Sequence, residues 1–422
     1  MCSFSGKKLL ILGANRAEIE IINKAKEMGL YTIVTDNHTD YSLAPAKLVA
    51  NEAWDISWAA IEVLAQKCVD TKVDGIFAGF SEKRVSCANL LSQKIRKPFY
   101  ANNALLEVIC DKDQFKDMCI KNDIKVARSF EKDGDVVFPV IVKPSDNGGS
   151  RGITICYTKP ELENALQKAV QFSDSGNVVV EEYIVADEVM VYFTVHNGNI
   201  TLSAMCDRYM HRFDRNITQL PIGYYYPSKY LNIFQKYNLN KFRDLIADLR
   251  VSNGLIAFQA FVVGNDIIPF DPTFRLDGTM AYNMIEKVNN INVLELLIKF
   301  SLNGNMGSDK DIFDRENPNF RNPCFEMPIL LTNGTITKIT GLNDVLNIEG
   351  VCHLYQCHTN GSVMKNIADF SQIFCRIHIC VENIMQLKDV IKRIYKVLDV
   401  YDEHGRSMVI SAEVAYELIE KI

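Results

Sequence analysis

The string Phe138 to Ile153, FPVIVKPSDNGGSRGI, carries an apolar run into Lys143, stops it at Pro144 and continues as a loop holding Gly148, Gly149, Ser150 and Gly152. A lysine ammonium gives phosphate oxygens a point charge, and glycines let successive backbone N–H groups turn toward an anion. Together they suit a polyphosphate. This is not a Walker A loop, which ends in Gly-Lys-Ser/Thr at the mouth of a helix. A glycine-rich surface hairpin has the same composition, so the loop alone does not decide. Further on, VVVEEYIVADE runs from Val178 to Glu188. An exposed strand end of this kind offers a backbone acceptor and donor to an adenine ring, with an acid beyond them for ribose hydroxyls. Glu181, Tyr183 and Glu188 stand in that order. Read alone, the segment fits an ordinary edge strand equally well.

The third string is AFQAFVVGNDIIPFDPTFRLDG. Gly264-Asn265 reads as a hairpin turn, which sets Gln259 and Asp271 on adjacent strands where their side chains meet at one site. Carboxylate and amide oxygens are hard ligands suited to Mg²⁺. Arg275, just beyond, has the planar fork that clamps a carboxylate or phosphate. Two further charged residues are candidates for holding a substrate: Glu82 in AGFSEKRV and Arg208 in CDRYMHRF. A helix-capping role suits Glu82 as well.

The order and spacing of Lys143, the glycine loop, Glu181-Glu182-Tyr183-Ile184, Glu188, Gln259 and Asp271 resemble the ATP-grasp superfamily, particularly the branch similar to carbamoyl-phosphate synthase large chain and biotin carboxylase. The resemblance extends over nearly the whole chain, including RIHICVENIMQLKDVIKRIYKVLDV near its C-terminal end. It implies ATP as substrate, with Lys143 and Lys112 (in CDKDQF) on the phosphates, and Gly148, Gly149, Ser150 and Gly152 as a lid loop. It implies the Glu181 carbonyl and the Tyr183 N–H on adenine, and Glu188 on ribose. Gln259, Asp271 and Thr273 would hold Mg²⁺, with Mn²⁺ as an alternative. Here the chain departs from the family pattern, which has Glu where Asp271 stands and Asn where Thr273 stands. Arg275 and Lys143 would be the catalytic residues.

The implied chemistry is activation of a small carboxylate as an acyl phosphate, followed by displacement of phosphate by an amine or ammonia. Carbamoyl-phosphate synthase-like use of bicarbonate and ammonia is an alternative, as is a nucleotide-binding protein without catalysis. No G-x-S-x-G or reactive-cysteine pattern calls for another mechanism.

These residues need a scaffold. Strand Lys8 to Leu12, a helix from about Glu18 to Met28 and strand Tyr31 to Thr35 alternate as in a parallel sheet. A helix around Trp58 to Thr71 and a strand at Gly75 to Ala78 repeat the rhythm. Residues 1–108 are therefore expected to form a Rossmann-like domain. Its first turn, LGANRAE, has one glycine where a dinucleotide fingerprint has three, which disfavours NAD. Residues 109–320 are expected to form an α+β, mainly antiparallel ATP-grasp domain with a mobile lid at about 126–185. A second hairpin turn is placed at Asn197-Gly198. Residues 321–422 are expected to form a β-rich cap resembling the last subdomain of biotin carboxylase, with a hairpin at Asn333-Gly334.

The chain has 422 residues and a formal net charge of −6, which gives no electrostatic basis for binding nucleic acid or an anionic membrane. Its 12 cysteines form no CxxC pair and suit reduced, buried thiols. The short run Leu9 to Leu12 after Lys7 and Lys8 does not suit a signal peptide. A cytoplasmic protein is expected, with a homodimer as its assembly.

Overall fold

The computed structural model describes residues 4–131, 135–145, 152–211, 220–307, 315–365, 370–410 and 418–422. Near the N-terminus, strands β1 (Lys8–Leu12), β2 (Tyr31–Thr35), β3 (Glu52–Trp54) and β4 (Gly75–Phe77) form a parallel sheet in the order β3-β2-β1-β4. Helices α1 (Ala17–Glu27), α2 (Ile61–Thr71) and α3 (Glu82–Lys94) connect them. A strand covered by helices on both faces reads as a continuous apolar run, and Leu9 to Leu12 are fully buried. The Rossmann-like reading agrees with this sheet.

The turn after β1 is filled by the protein itself. Gly13 has φ +95°, and a Cβ there would stand 1.8 Å from the Arg84 guanidinium. Arg84 pairs at 2.7 Å with Glu18, whose carboxylate also accepts from the Asn15 N–H.

Helices α4 (Asn103–Cys110) and α5 (Lys112–Lys121) follow, the first without a counterpart in the sequence reading. The Asp111 carboxylate caps α5 by accepting from Asp113 and Gln114 N–H. A small antiparallel sheet comes next, ordered β5 (Ser129–Phe130), β8 (Val178–Glu182), β6 (Val140–Pro144), β7 (Thr154–Cys156). Helix α6 (Lys159–Gln171) packs on it, with Pro160 in its first turn, where the missing N–H is not needed. β6 begins at Val140, just after Pro139, which has no N–H to place in the ladder.

The centre is an eight-stranded sheet. In chain order its strands are β9 (Asp187–His196), β10 (Asn199–His211), β11 (Leu220–Tyr226), β12 (Gly254–Val263), β13 (Asp266–Thr273), β14 (Cys324–Leu330), β17 (Val351–Gln356) and β19 (Ile373–Cys380). Their spatial order is β13-β12-β9-β10-β11-β14-β19-β17. Two of the three predicted hairpins are present. Asn197 (φ +50°) and Gly198 (φ +80°) make the paired positive φ of a type I′ turn, and Gly264 has φ +62°.

The Asn333-Gly334 hairpin is not formed. β14 pairs with β11 and β19, while the residues after Gly334 split into β15 (Gly334–Thr335), paired with β18 (Val363–Met364), and β16 (Lys338–Thr340), paired with β20 (Asp399–Tyr401). Buried Ile336, whose N–H donates to Ser362 O, turns the chain away from β14. β14, β19 and β17 extend the central sheet, so the hydrogen-bonded ladder runs unbroken from β13 to these three strands. Among the described residues, no helix is long and apolar enough to cross a membrane.

Candidate active site

A cavity of about 460 Å³ lies between the small sheet and one face of the central sheet. Lys143, at the end of β6, reaches it with its Nζ 2.5 Å from Glu181 Oε2 on β8. Lys116, one helical turn beyond Lys112 on α5, stands 2.5 Å from the other oxygen of the same carboxylate. Burial pushes the Glu181 carboxyl up, but Lys143 and Lys116 outweigh it and hold the group below the usual range. Lys112 completes the cationic side, its Nζ donating to Ser145 O at 3.2 Å. The sequence reading missed Lys116, although an i, i+4 pair of lysines on a capped helix shares one face.

Glu181 and Tyr183 do not occupy their expected places. Glu181 sits inside the β8 ladder, opposite Ser129 and Ile141, and it is the side chain that does the work described above. The Tyr183 N–H donates to Pro139 O at 3.0 Å, which commits it to the protein backbone. Glu182, Tyr183 and Ile184 all line the cavity. Glu188 also lines it, held by an ion pair with Arg208, so the two residues read separately from the sequence meet across β9 and β10. Burial raises the Glu188 carboxyl despite Arg208. Gly148, Gly149 and Ser150 lie outside the described residues. Gly152, at φ +76°, packs where a Cβ would stand 2.7 Å from Phe172, so its lack of a side chain serves packing against the end of α6.

On the opposite wall the β12–β13 hairpin brings Gln259 directly opposite Asp271, and their side chains meet at 3.3 Å. Burial raises the Asp271 carboxyl, against the pull of Lys112. Thr273 is buried in the same wall, and its hydroxyl has no hydrogen-bond partner among the described residues. The donors gathered here are a carboxylate, an amide and a hydroxyl, a hard oxygen set that fits a divalent cation. Among the described residues no three His, Cys, Asp or Glu side chains gather as an alternative metal site. Arg275 lies in the cavity wall with its Nε donating to Glu82 at 2.6 Å and its Nη1 to Leu276 O at 2.8 Å. Glu82 thereby orients Arg275 from the first turn of α3.

Residues beyond the sequence reading complete the floor, among them Asp277, Tyr224 and Arg376, with Tyr192 and Glu326 buried behind them. Asp277 accepts from Tyr192 Oη at 2.8 Å and from Thr279 Oγ1 at 2.5 Å. Tyr224 places its ring under Arg208, 5.7 Å from the guanidinium carbon. Arg376 on β19 donates to Glu326 on β14 at 2.8 Å, and both are buried. The signal in the sequence was a single charge inside an apolar strand, Glu326 in CFEMPIL and Arg376 in IFCRIHIC, since such residues are rarely buried without a partner.

A family model, D-ala D-ala ligase C-terminus, matches residues 115–239, the stretch that carries Lys116, Lys143, Glu181 and Glu188. The chain is 24% identical over 322 residues to a formate-dependent phosphoribosylglycinamide formyltransferase of Prochlorococcus marinus strain AS9601, covering 71% of this chain and 77% of that one. Its structure superposes on an L-amino acid ligase from Bacillus licheniformis with TM-score 0.78 and 16% identity, over 94% of this chain and 99% of that one. It also matches the biotin carboxylase domain of Hydrogenobacter thermophilus 2-oxoglutarate carboxylase, solved with MgADP, ADP and bicarbonate, with TM-score 0.73 and 16% identity over 95% and 91% of the two chains. With the parallel N-terminal sheet and the two-walled cavity, these likenesses give the chain the fold of ATP-dependent ligases and a sequence similarity to them that is carried by residues 115–239 and by the formyltransferase match.

Proposed function

We propose that the protein is an ADP-forming carboxylate–amine ligase that binds Mg-ATP in this cavity, phosphorylates a small carboxylate and couples the acyl phosphate to an amine or ammonia. The observation that carries this reading is the meeting of Lys112, Lys143 and Arg275 with Gln259, Asp271 and Thr273 in one cavity. The cavity's other surfaces include apolar Ile141, Ile153, Ile155, Phe261 and Phe270, which suit a purine. The names of the structural neighbours, an L-amino acid ligase and a carboxylase domain holding MgADP, support the same chemistry.

Within this reading each residue has a task. Base recognition falls to the Glu182 carbonyl and the Ile184 N–H, one residue beyond the positions expected from sequence. Glu188, braced by Arg208, meets the ribose hydroxyls. Lys143 and Lys112 hold the phosphates, and Glu181 keeps Lys143 and Lys116 extended toward them. Gln259, Asp271 and Thr273 would hold Mg²⁺, whose charge offsets that of the phosphates during transfer. Arg275, its fork fixed by Glu82, holds the substrate carboxylate in line with the γ-phosphorus. A carboxylate oxygen attacks that phosphorus and ADP leaves. The amine nitrogen then adds to the acyl carbon, and phosphate leaves as the amide forms.

The test is ADP release from Mg-ATP with hydroxylamine as a general nucleophile, screened over the proteinogenic L-amino acids, formate and bicarbonate. ADP and hydroxamate formation dependent on a particular acid supports the reading. ATP binding with no acid-dependent ADP release rejects it.

A further inference from the structure

One face of the central sheet carries a continuous cross-strand row: Phe261, Glu188, Arg208, Tyr224, Glu326, His378, His353. Residues directly opposite on antiparallel strands share a face and touch. The row therefore runs from the apolar nucleotide wall, through the Glu188–Arg208 pair, to Glu326. Glu326 lies between two residues of the cavity wall, Tyr224 across β11 and Arg376 on β19. One of its oxygens, Oε1, accepts from Arg376 Nη1 at 2.8 Å. The other, Oε2, is buried and has no hydrogen-bond partner among the described residues. A buried carboxylate oxygen without a donor is costly, and a native structure keeps one where a ligand or reaction uses it.

We propose that the Glu326–Arg376 pair is the floor of the amine subsite and that Glu326 Oε2 is the acceptor of the ammonium proton. This rests on the ligase reading. An amine enters as an ammonium ion, which has no lone pair for the acyl carbon. Its N–H supplies the donor that Oε2 lacks, and the proton passes from nitrogen to Oε2, giving a neutral amine and a neutral carboxyl. The nitrogen then bonds to the acyl carbon and the carbon–oxygen bond to phosphate breaks. The departing phosphate takes the second amine proton, and Glu326 returns its own to solvent.

The surroundings suit this exchange. Groups facing Glu326 are Arg376 and His378 from β19, Tyr224 from β11, Arg208 from β10 and Asp277 from the loop after β13. Burial pushes the carboxyl up to about 7 even with Arg376 beside it, so it exchanges a proton near neutral pH. His378 is neutral there, since burial holds its pKa down at about 3, and its Nε2 is 2.8 Å from Thr279 O, tying β19 to the loop that bears Asp277.

The test compares two nucleophiles on one acyl phosphate. Hydroxylamine is already unprotonated at neutral pH and needs no base. Ammonium, methylammonium and the amino acids are protonated and do need one. In Glu326→Gln the ratio of amide to hydroxamate formed is expected to fall about 100-fold, the size of a general-base contribution, and Glu326→Asp is expected to recover part of it. In the wild type, amide formation is expected to rise with pH and level off above about 7, where free-amine availability alone would keep raising it, while hydroxamate formation stays level; a rise that continues unbroken overturns the proposal. An unchanged ratio in Glu326→Gln, with both products lowered together, reduces Glu326 to a structural partner of Arg376 and overturns the proposal. Hydroxamate formation without coupling of any protonated amine by the wild type overturns the amine subsite. No hydroxamate from any acid in the wild type overturns the ligase reading and this proposal with it. The wild-type pH profiles decide the matter if Glu326→Gln does not fold.

Discussion

Lys143 Nζ lies 2.5 Å from Glu181 Oε2, and this contact joins the two strings that looked separate in the sequence. The strand that delivers the lysine and the strand that delivers the acid are neighbours in the small sheet, with Lys143 opposite Val179. Glu181 therefore acts through its carboxylate on Lys143 and Lys116, and in the proposed function the base-recognising backbone begins beyond it.

Lys143→Met is expected to weaken ATP binding by about 10- to 100-fold, the range for losing a charge-assisted hydrogen bond. Equilibrium binding of a fluorescent ATP analogue measures it. The substitution also leaves Glu181 with Lys116 alone, so the variant's melting temperature should fall less than that of Glu181→Ala, which strands two cations.

Arg275→Lys keeps the charge but loses the planar fork that contacts Glu82 and Leu276 O together. Turnover is expected to fall about 100-fold, with ATP affinity within about threefold of the wild type. Steady-state kinetics beside binding measurements separate the two. A loss confined to ATP affinity would place Arg275 with the nucleotide instead.

Asp271 is the one carboxylate in the Gln259, Asp271, Thr273 set, so its loss should matter most to the metal. Mn²⁺ titrated in the presence of ADP and followed by electron paramagnetic resonance is expected to bind the wild type. Binding should be at least about tenfold weaker in Asp271→Asn, with a smaller effect for Thr273→Ala.

Glu316 is half-buried, and its carboxylate has hydroxyl partners, accepting from Ser203 at 2.9 Å and from Thr201. Burial raises its carboxyl above the ordinary value, and the hydroxyls of Thr194, Thr201 and Ser203 offset this only in part. A raised acid contributes stability that is complete below the unfolded pKa of about 4.3 and lost as pH rises through the folded value. Glu316→Gln is therefore expected to raise the melting temperature at pH 8 by about 2 °C or more relative to its effect at pH 5. Equal effects at both pH values would show the carboxylate to be well satisfied as an ion.

Much of the site was legible because it lies in short contiguous strings. Lys143 ends its own strand, and Gln259 and Asp271 are joined by a turn whose Gly264 signals the hairpin. The parallel sheet was equally plain, since buried parallel strands such as Leu9 to Leu12 have no polar alternation to confuse them. Glu326 and Arg376 were not legible as a pair, because a ladder between β14 and β19 brings them together and nothing local predicts that register. The Asn333-Gly334 turn misled for the same reason. Its residues are right for a hairpin, but the strands on either side find partners elsewhere. Tyr183 shows the limit of a motif: one residue of register decides whether an N–H faces a ligand or Pro139.

The measurement that bears most directly on carboxylate activation uses a substrate acid labelled with ¹⁸O in its carboxylate, with Mg-ATP and an amine. Attack of that carboxylate on the γ-phosphorus is expected to leave one ¹⁸O in the inorganic phosphate, in step with ADP and amide. Amide formed without label in phosphate, or with AMP as the nucleotide product, would contradict the acyl-phosphate account.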